Sequence, residues 1–251
     1  GGVAGLSLAH ALENSPELRN MNGIKGSVSG IQVSIFDART SFEDKGGAGL
    51  QLNGGMAVLK RINPNLQKKV ANAALQVSTI RSRTKPSSND SKQFDTLLEL
   101  GIEEAIKDMG GEVKEQLLVD GEVMYYSIMR STLQKILLEQ LPSTAKARFK
   151  CGKKLVSIRH QEEKDGIFCE FEDKSSSGPF DLVVGCDGIN SAVKTFVDNG
   201  SMSEISRQPS SIYSGIRIRF VVQDEIMMTK EKKEKTTAAA AAGGEFRQYF
   251  G

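Results

Sequence analysis

The chain holds one run dense in residues that could do chemistry: Asp181-Leu-Val-Val-Gly-Cys-Asp-Gly-Ile-Asn-Ser-Ala-Val-Lys194. A continuous apolar run such as Leu182, Val183 and Val184 predicts a fully buried strand. Gly185 ends it and lets the backbone turn or approach a ligand closely. Cys186, Asp187 and Gly188 form the turn, and Ser191 is placed to cap the helix that follows. Asp187 then falls where a carboxylate can hydrogen-bond a cofactor hydroxyl. An ordinary strand-turn-helix corner would use an aspartate in the same way.

A second stretch opens the chain, Gly1-Gly-Val-Ala-Gly-Leu-Ser-Leu-Ala-His-Ala-Leu12. Gly2 and Gly5 have the spacing of the last two glycines of G-x-G-x-x-G. In that motif the first of these lets the backbone approach a pyrophosphate, and the second lets helix and sheet pack closely. Leu6, Leu8, Ala9 and Leu12 give the helix an apolar face, and its free N–H groups would point at phosphates. Many helices begin at glycines, so this spacing alone is a weak sign. The first glycine and the strand before it are not in the sequence, which is the pattern expected of a piece of a longer protein.

A third stretch, Ile31-Gln-Val-Ser-Ile-Phe-Asp37, alternates apolar and polar residues and ends in an acid. Such a strand places a carboxylate to accept a hydrogen bond from an adenosine ribose. The interval from Gly5 exceeds the usual spacing of about 20 residues, and a polar insertion from Asn14 to Gly30 accounts for the excess. An edge strand ending at an Asp turn has the same appearance.

In this order the three stretches resemble the flavoprotein monooxygenases of the p-hydroxybenzoate hydroxylase type. Two further segments match: Gly47 to Leu52 followed by an apolar helix from Met56 to Ile62, similar to the loop and helix beside the flavin, and Met129 to Leu138, similar to the family's Arg-x-x-Leu helix. The resemblance implies an α/β, Rossmann-like FAD-binding fold with an inserted β-meander and the start of a substrate-domain sheet. It implies an oxidoreductase that uses FAD, takes NAD(P)H as a transient reductant, and inserts one oxygen of O2 into a small organic substrate by aromatic hydroxylation or alkene epoxidation. A reductase or halogenase on the same fold, or a non-catalytic nucleotide-binding fragment, is the alternative. The cofactor-binding set it implies is Gly2, Gly5, Asp37, Arg39, Arg130, Leu155, Asp187 and Gly188. Arg130 would reach the ribityl-pyrophosphate side, and the backbone at Leu155 would meet the adenine. No catalytic residue and no metal ligand is implied. One departure stands out: the arginine that ends the family's Asp-Gly motif is Lys194, which keeps the charge but not the bidentate fork. The family's later Gly-Asp motif has no counterpart in the sequence.

Composition limits the alternatives. With 251 residues, 39% hydrophobic and 25% charged, the chain can build a sizeable core. A net charge of +2 and the absence of Trp give no case for nucleic-acid binding. No apolar stretch approaches the roughly 20 residues of a membrane span. Cys151, Cys169 and Cys186 are scattered without metal spacing, and His10 and His160 lie far apart. Both facts argue against a zinc site or a Cys-His nucleophile and suit a reduced, intracellular, cytoplasmic setting, with organelle targeting left open. His10 sits in the first helix, where a packed side chain is the simpler reading.

The organisation expected is an FAD-binding domain over 1–210, with polar insertions near 14–30 and 84–92, then the start of a substrate-domain sheet over 211–251 with a low-complexity loop at 229–244. Helices are expected at Asn65 to Leu75 and Phe94 to Met109, the latter stopped by Gly110-Gly111, and a strand at Gln76 to Arg83. Glu112 to Val119 and Val123 to Ile128 read as a hairpin about Asp120-Gly121. Ala147 to Cys151, Leu155 to Gln161, Ile167 to Glu172 and Phe180 to Val184 read as a meander. Ile212 to Val222 reads as a long strand and Glu245 to Gly251 as the next.

Overall fold

A computed structural model of the chain describes residues 1–15, 31–41, 48–84, 95–111, 114, 117–161, 166–200, 215 and 244–250. In chain order the elements begin with α1 (Val3–Asn14), β1 (Ile35–Phe36), β2 (Gly49–Gln51), α2 (Gly55–Ile62), α3 (Pro64–Ala73), β3 (Leu75–Thr84), β4 (Asp95–Gly101) and α4 (Ile102–Asp108). There follow β5 (Leu118–Val119), β6 (Glu122–Val123), β7 (Tyr126–Met129), α5 (Arg130–Glu139), α6 (Ser143–Ala147) and β8 (Phe149–Lys150). The last are β9 (Leu155–Gln161), β10 (Gly166–Phe171), β11 (Ser176–Phe180), α7 (Ala192–Asn199) and β12 (Gly244–Phe250). The chain forms two compact units, residues 1–45 with 133–218 and residues 46–132 with 219–251. This division is interleaved, whereas the sequence reading draws one boundary near residue 210.

In the first unit β1 and β8 pair in parallel, Ile35 opposite Phe149 and Phe36 opposite Lys150. Main-chain bonds continue past the strand: the Asp37 N–H donates to the Lys150 carbonyl (3.0 Å), and the Lys153 N–H donates to the Asp37 carbonyl (2.8 Å). Of the four strands predicted as a meander, Leu155 to Gln161 and Ile167 to Glu172 are β9 and β10 of the antiparallel sheet β11-β10-β9, whereas the first, seen as β8, leaves the meander to pair with β1. The Phe36 ring joins it to β1, lying 4.9 Å from Phe171 and edge-on to Phe180 at 6.0 Å. Leu6 and Ala9 of α1, Ile35, and Leu133 and Leu137 of α5 are buried around these elements.

In the second unit β3 is the organising strand. It pairs antiparallel with β4 and β7 and parallel with β12, and β7 pairs in turn with β2. The start of α3 shows how the sequence sets an element boundary. Asn63 Oδ1 accepts from the Asn65 and Leu66 N–H groups (2.9 and 3.2 Å), and Pro64 fills the first helical position, where a missing N–H costs nothing. The Asp120-Gly121 turn is as expected, both residues having positive φ (53° and 79°), which the two-residue turn requires, but the arm before it is a strand only over Leu118–Val119, Lys114 and Leu117 being helical.

Three expectations are corrected. Residues 182–184 form no ladder with any described segment, and among the described residues Leu182 and Val184 are 74% and 52% exposed rather than buried. The last strand of the meander is β11, ending at Phe180 rather than Val184. Phe94 to Met109 is not one helix: Asp95–Gly101 pairs with β3, and only Ile102–Asp108 is helical. Cross-strand partners decide this, with Arg81 gripping Glu99 through two hydrogen bonds (3.0 and 2.6 Å), and tertiary pairing overrides the weak helical preference of the leucines. The helix stops with Met109 as its C-terminal cap, ahead of Gly110. The expected strand Ile212 to Val222 lies outside the described residues except for Gly215, as do the insertion at 16–30 and the segment 229–243. The strand expected at the end is β12.

Candidate dinucleotide site

The first unit brings the N-terminus of α1, the end of β1 and the turn at residues 185–188 together. Gly2 is the N-cap of α1 with extended backbone (φ −75°, ψ 176°). No side chain caps the helix, and its first turn carries no acidic residue. The first helical bond runs from the Leu6 N–H to the Gly2 carbonyl at 3.0 Å, and the N–H groups of the preceding turn have no acceptor among the described residues. These are the uncommitted donors and positive dipole end that an anion requires. Gly5 works on the other side of the helix: a Cβ placed there would lie 3.3 Å from Cys186 Cβ. A Cβ at Gly2 would meet nothing closer than the Cys186 carbonyl oxygen at 4.0 Å. The two glycines therefore do different things. Gly5 allows helix and turn to touch, and Gly2 leaves open space.

Asp37, 9% exposed, follows β1. Arg39 closes on it: Nε donates to Oδ1 (3.0 Å), Nη2 to Oδ2 (2.8 Å) and the Arg39 backbone N–H to Oδ1 (2.8 Å), with the α-amino group of Gly1 at 3.3 Å from Oδ2. Burial pushes the Asp37 carboxyl up. The hydrogen bonds from Arg39, with its charge, outweigh burial and hold it at about 2. Arg39 Nη2 also donates to the Gly1 carbonyl (3.2 Å), so the guanidinium links the acid to the chain entering α1.

Sequence reasoning missed Gln134. It is buried on α5, donates from Nε2 to the Gly1 carbonyl (2.6 Å), and accepts from Arg39 Nη1 (3.5 Å). The available sign was an amide on a helix between Leu133 and Leu137, both in the core. His10 is fully buried, as the packed reading expects, with Nε2 2.8 Å from the Leu137 carbonyl.

The Asp187 carboxylate is turned toward α7. Oδ2 accepts from the Ala192 N–H (2.6 Å) and the Val193 N–H (3.4 Å), and Oδ1 accepts from the Ser191 hydroxyl. Ser191 caps the helix as predicted, its Oγ accepting from the Lys194 N–H at 3.0 Å. Gly188 has φ of 86°, a conformation that favours glycine. Lys194, at the position of the family's arginine, pairs with Asp198 one turn on (2.5 Å). Leu155 is half-buried at the start of β9, opposite Phe171. Arg130 belongs to the second unit. It opens α5 with an exposed side chain that makes no ion pair among the described residues, and its backbone N–H donates to the Ala48 carbonyl (3.2 Å).

Among the described residues, no cluster of His, Cys, Asp or Glu could hold a metal ion, and no helix is long and apolar enough to cross a membrane. A cavity of about 540 Å³ lies in the second unit against Gln76, Lys107, Glu122 and Tyr126.

No family model matches the chain, and no curated protein matches it. Solved structures do. One is HpxO of Klebsiella pneumoniae complexed with FAD and uric acid: 17% identity, TM-score 0.54, covering 78% of this chain and 39% of that one. Another is a mutant of PqsL from P. aeruginosa: 16% identity, TM-score 0.51, covering 78% of this chain and 43% of that one. Likeness at this identity shows the fold alone: the mixed α/β fold shared with HpxO, a structure that holds FAD. The chain spans about two fifths of the length of these structures.

Proposed function

We propose that this chain is the larger part of the FAD-binding region of a flavin-dependent monooxygenase that consumes NAD(P)H and places one oxygen of O2 on a small organic substrate. The observation that carries the reading is the meeting of three segments far apart in sequence: the open N-terminus of α1 at Gly2, the Asp37–Arg39 pair after β1, and the 185–188 turn packed on Gly5. A dinucleotide cofactor needs these elements together: donors for a pyrophosphate, a carboxylate for a ribose, and a glycine surface that admits the backbone.

The residues fit the group. The N–H groups around Gly2 would hold the pyrophosphate, and the Asp37 carboxylate would accept from the ribose with Arg39 keeping it ionised. The Leu155 backbone would border the adenine, and Gly188 would face the cofactor beyond the turn. The bound flavin supplies the redox chemistry, and this chain supplies binding, orientation and exclusion of water. Gln134 and Arg39 keep the Gly1 carbonyl pointed into the protein, which leaves the N–H edge of that turn for the phosphates.

The second reading, a nucleotide-binding region without turnover, has one observation in its favour: Lys194 is engaged with Asp198 on its own helix. One experiment on the full-length protein separates the two. Flavin absorbance after purification or reconstitution, followed by anaerobic reduction on adding NADPH or NADH, supports the monooxygenase. Bound flavin that neither nucleotide reduces supports the second reading. The absence of any flavin binding ends both FAD readings.

A further inference from the structure

We propose that Asp187 is a positioning residue, acting on the cofactor site through α7 and Cys186 rather than by touching the cofactor. The inference rests on the FAD reading above. The carboxylate is already committed: one oxygen takes two N–H groups of the first turn of α7, and the other takes the Ser191 hydroxyl. Ser191 in turn takes the Lys194 N–H, so the two side chains together satisfy three of the helix's four orphan donors. The first turn of α7 carries no acidic residue of its own, and Asp187 supplies the negative charge that its positive end favours.

The backbone around Asp187 is built for this grip. A Cβ at Gly185 would lie 2.7 Å from Val193 Cβ and 3.2 Å from Asp187 Oδ1, so only glycine lets α7 fold back over the turn. Gly188, at φ 86°, gives the bend that brings the carboxylate round to the helix. Between Gly185 and Asp187 sits Cys186, whose Cβ and carbonyl are the atoms nearest to the Cβ positions of Gly5 and Gly2. The carboxylate therefore fixes α7, α7 fixes Gly185, and the adjoining Cys186 sets how α1 presents its N-terminus.

The test uses full-length, FAD-loaded protein with Asp187→Asn, Asp187→Ala and Gly185→Ala, reading the FAD dissociation constant and amide hydrogen exchange. An asparagine oxygen can still accept from Ala192 while its amide donates to Ser191, so Asp187→Asn should bind FAD within about twofold of wild type. Asp187→Ala should weaken FAD roughly fivefold, the scale of a lost helix cap, and speed exchange at 192–194 and in the first turn of α1. Gly185→Ala, with the carboxylate intact, should reproduce both effects. The proposal is overturned if Asp187→Asn loses as much affinity as Asp187→Ala with exchange unchanged, the result of a direct charge contact. It is also overturned if Gly185→Ala leaves affinity and exchange as they were. Should Asp187→Ala not fold, Asp187→Asn retains the cap and decides between these outcomes. If the wild type binds no FAD, the FAD reading falls, and exchange in α1 still decides the linkage: faster exchange on losing the cap upholds it, and no change refutes it.

Discussion

A methyl group on Gly5 would stand 3.3 Å from Cys186 Cβ and 3.9 Å from its Sγ, so α1 and the turn before α7 touch at the limit of carbon–carbon packing. Alanine at this position sets two effects against each other. Removing glycine from a helix interior favours the folded state by up to about 1 kcal/mol, while Cys186 must give by a few tenths of an ångström. The expected result is near-neutral stability for Gly5→Ala. Gly5→Val adds two further carbons beyond the alanine methyl, for which there is no room, and should destabilise by about 1–3 kcal/mol, read by chemical unfolding. A valine variant as stable as wild type would mean that helix and turn do not pack as described.

Gly2 predicts the opposite behaviour. Its backbone is extended and a Cβ there meets no protein atom within 3.9 Å, so Gly2→Ala carries no steric cost to the fold. What it fills is the space in front of the free N–H groups of α1. Thermal unfolding should be unchanged while FAD affinity falls at least tenfold, the effect of about 1.4 kcal/mol. Unaltered affinity in a well-folded variant would remove Gly2 from the site.

How far the sequence foretells these details depends on whether the cause is local. Helix starts at Gly2 and Ser191 and the Asp120-Gly121 turn are local chemistry, and each is where the sequence puts it. The exposure of Leu182 and Val184 is not local, because an apolar run is buried only if other layers reach it. Nor is the division of Phe94 to Met109, which the ladder to β3 and the Arg81–Glu99 pair decide. In the site, Gly2, Gly5, Asp37 and Arg39 follow from spacing. Gln134 does not, since its task of holding the Gly1 carbonyl is set by a contact 133 residues away. The direction in which Asp187 points is likewise a matter of where α7 begins.

The Asp37–Arg39 pair predicts an acid limit to stability. The carboxyl is held at about 2 against an ordinary 3.8, so the folded state binds this proton less readily than the unfolded chain. The stabilisation is complete above pH 3.8 and is lost as pH falls toward 2, amounting to roughly 2 kcal/mol at most because Arg39 is half exposed and solvent screens it. Asp37→Asn should be less stable than wild type at pH 6, and the gap should close below pH 3. A gap constant across that range would mean that the pair contributes by packing alone.

Arg130 offers a test free of such coupling. Its side chain is exposed and makes no ion pair among the described residues, so Arg130→Ala should leave folding intact. If the guanidinium faces the phosphate side of the cofactor, FAD affinity falls by about 1.5–3 kcal/mol, the scale of a charge-assisted hydrogen bond. Arg130→Lys should recover part of that loss, since the charge remains without the fork. Equal affinity in all three proteins would make Arg130 a solvated helix residue.

His10 gives a prediction at milder pH. Burial pushes its imidazole below the ordinary 6.5, against the opposing pull of its bond to the Leu137 carbonyl and the charge of Glu13. The folded protein therefore keeps His10 neutral, with Nε2–H donating to Leu137 and Nδ1 without a partner, while the unfolded chain takes up a proton below pH 6.5. Stability contributed by the neutral ring is full above pH 6.5 and declines as pH falls below it. Most carboxylates titrate lower, so the range from pH 7 to 5 reports chiefly on the buried His10. The melting temperature should drop across that range, by roughly 2–4 °C for each kcal/mol lost in a chain of this size. His10→Gln keeps a donor for the Leu137 carbonyl but cannot be protonated, and should flatten the profile. A variant whose melting temperature still falls between pH 7 and 5 as steeply as wild type would show that the proton is taken up elsewhere.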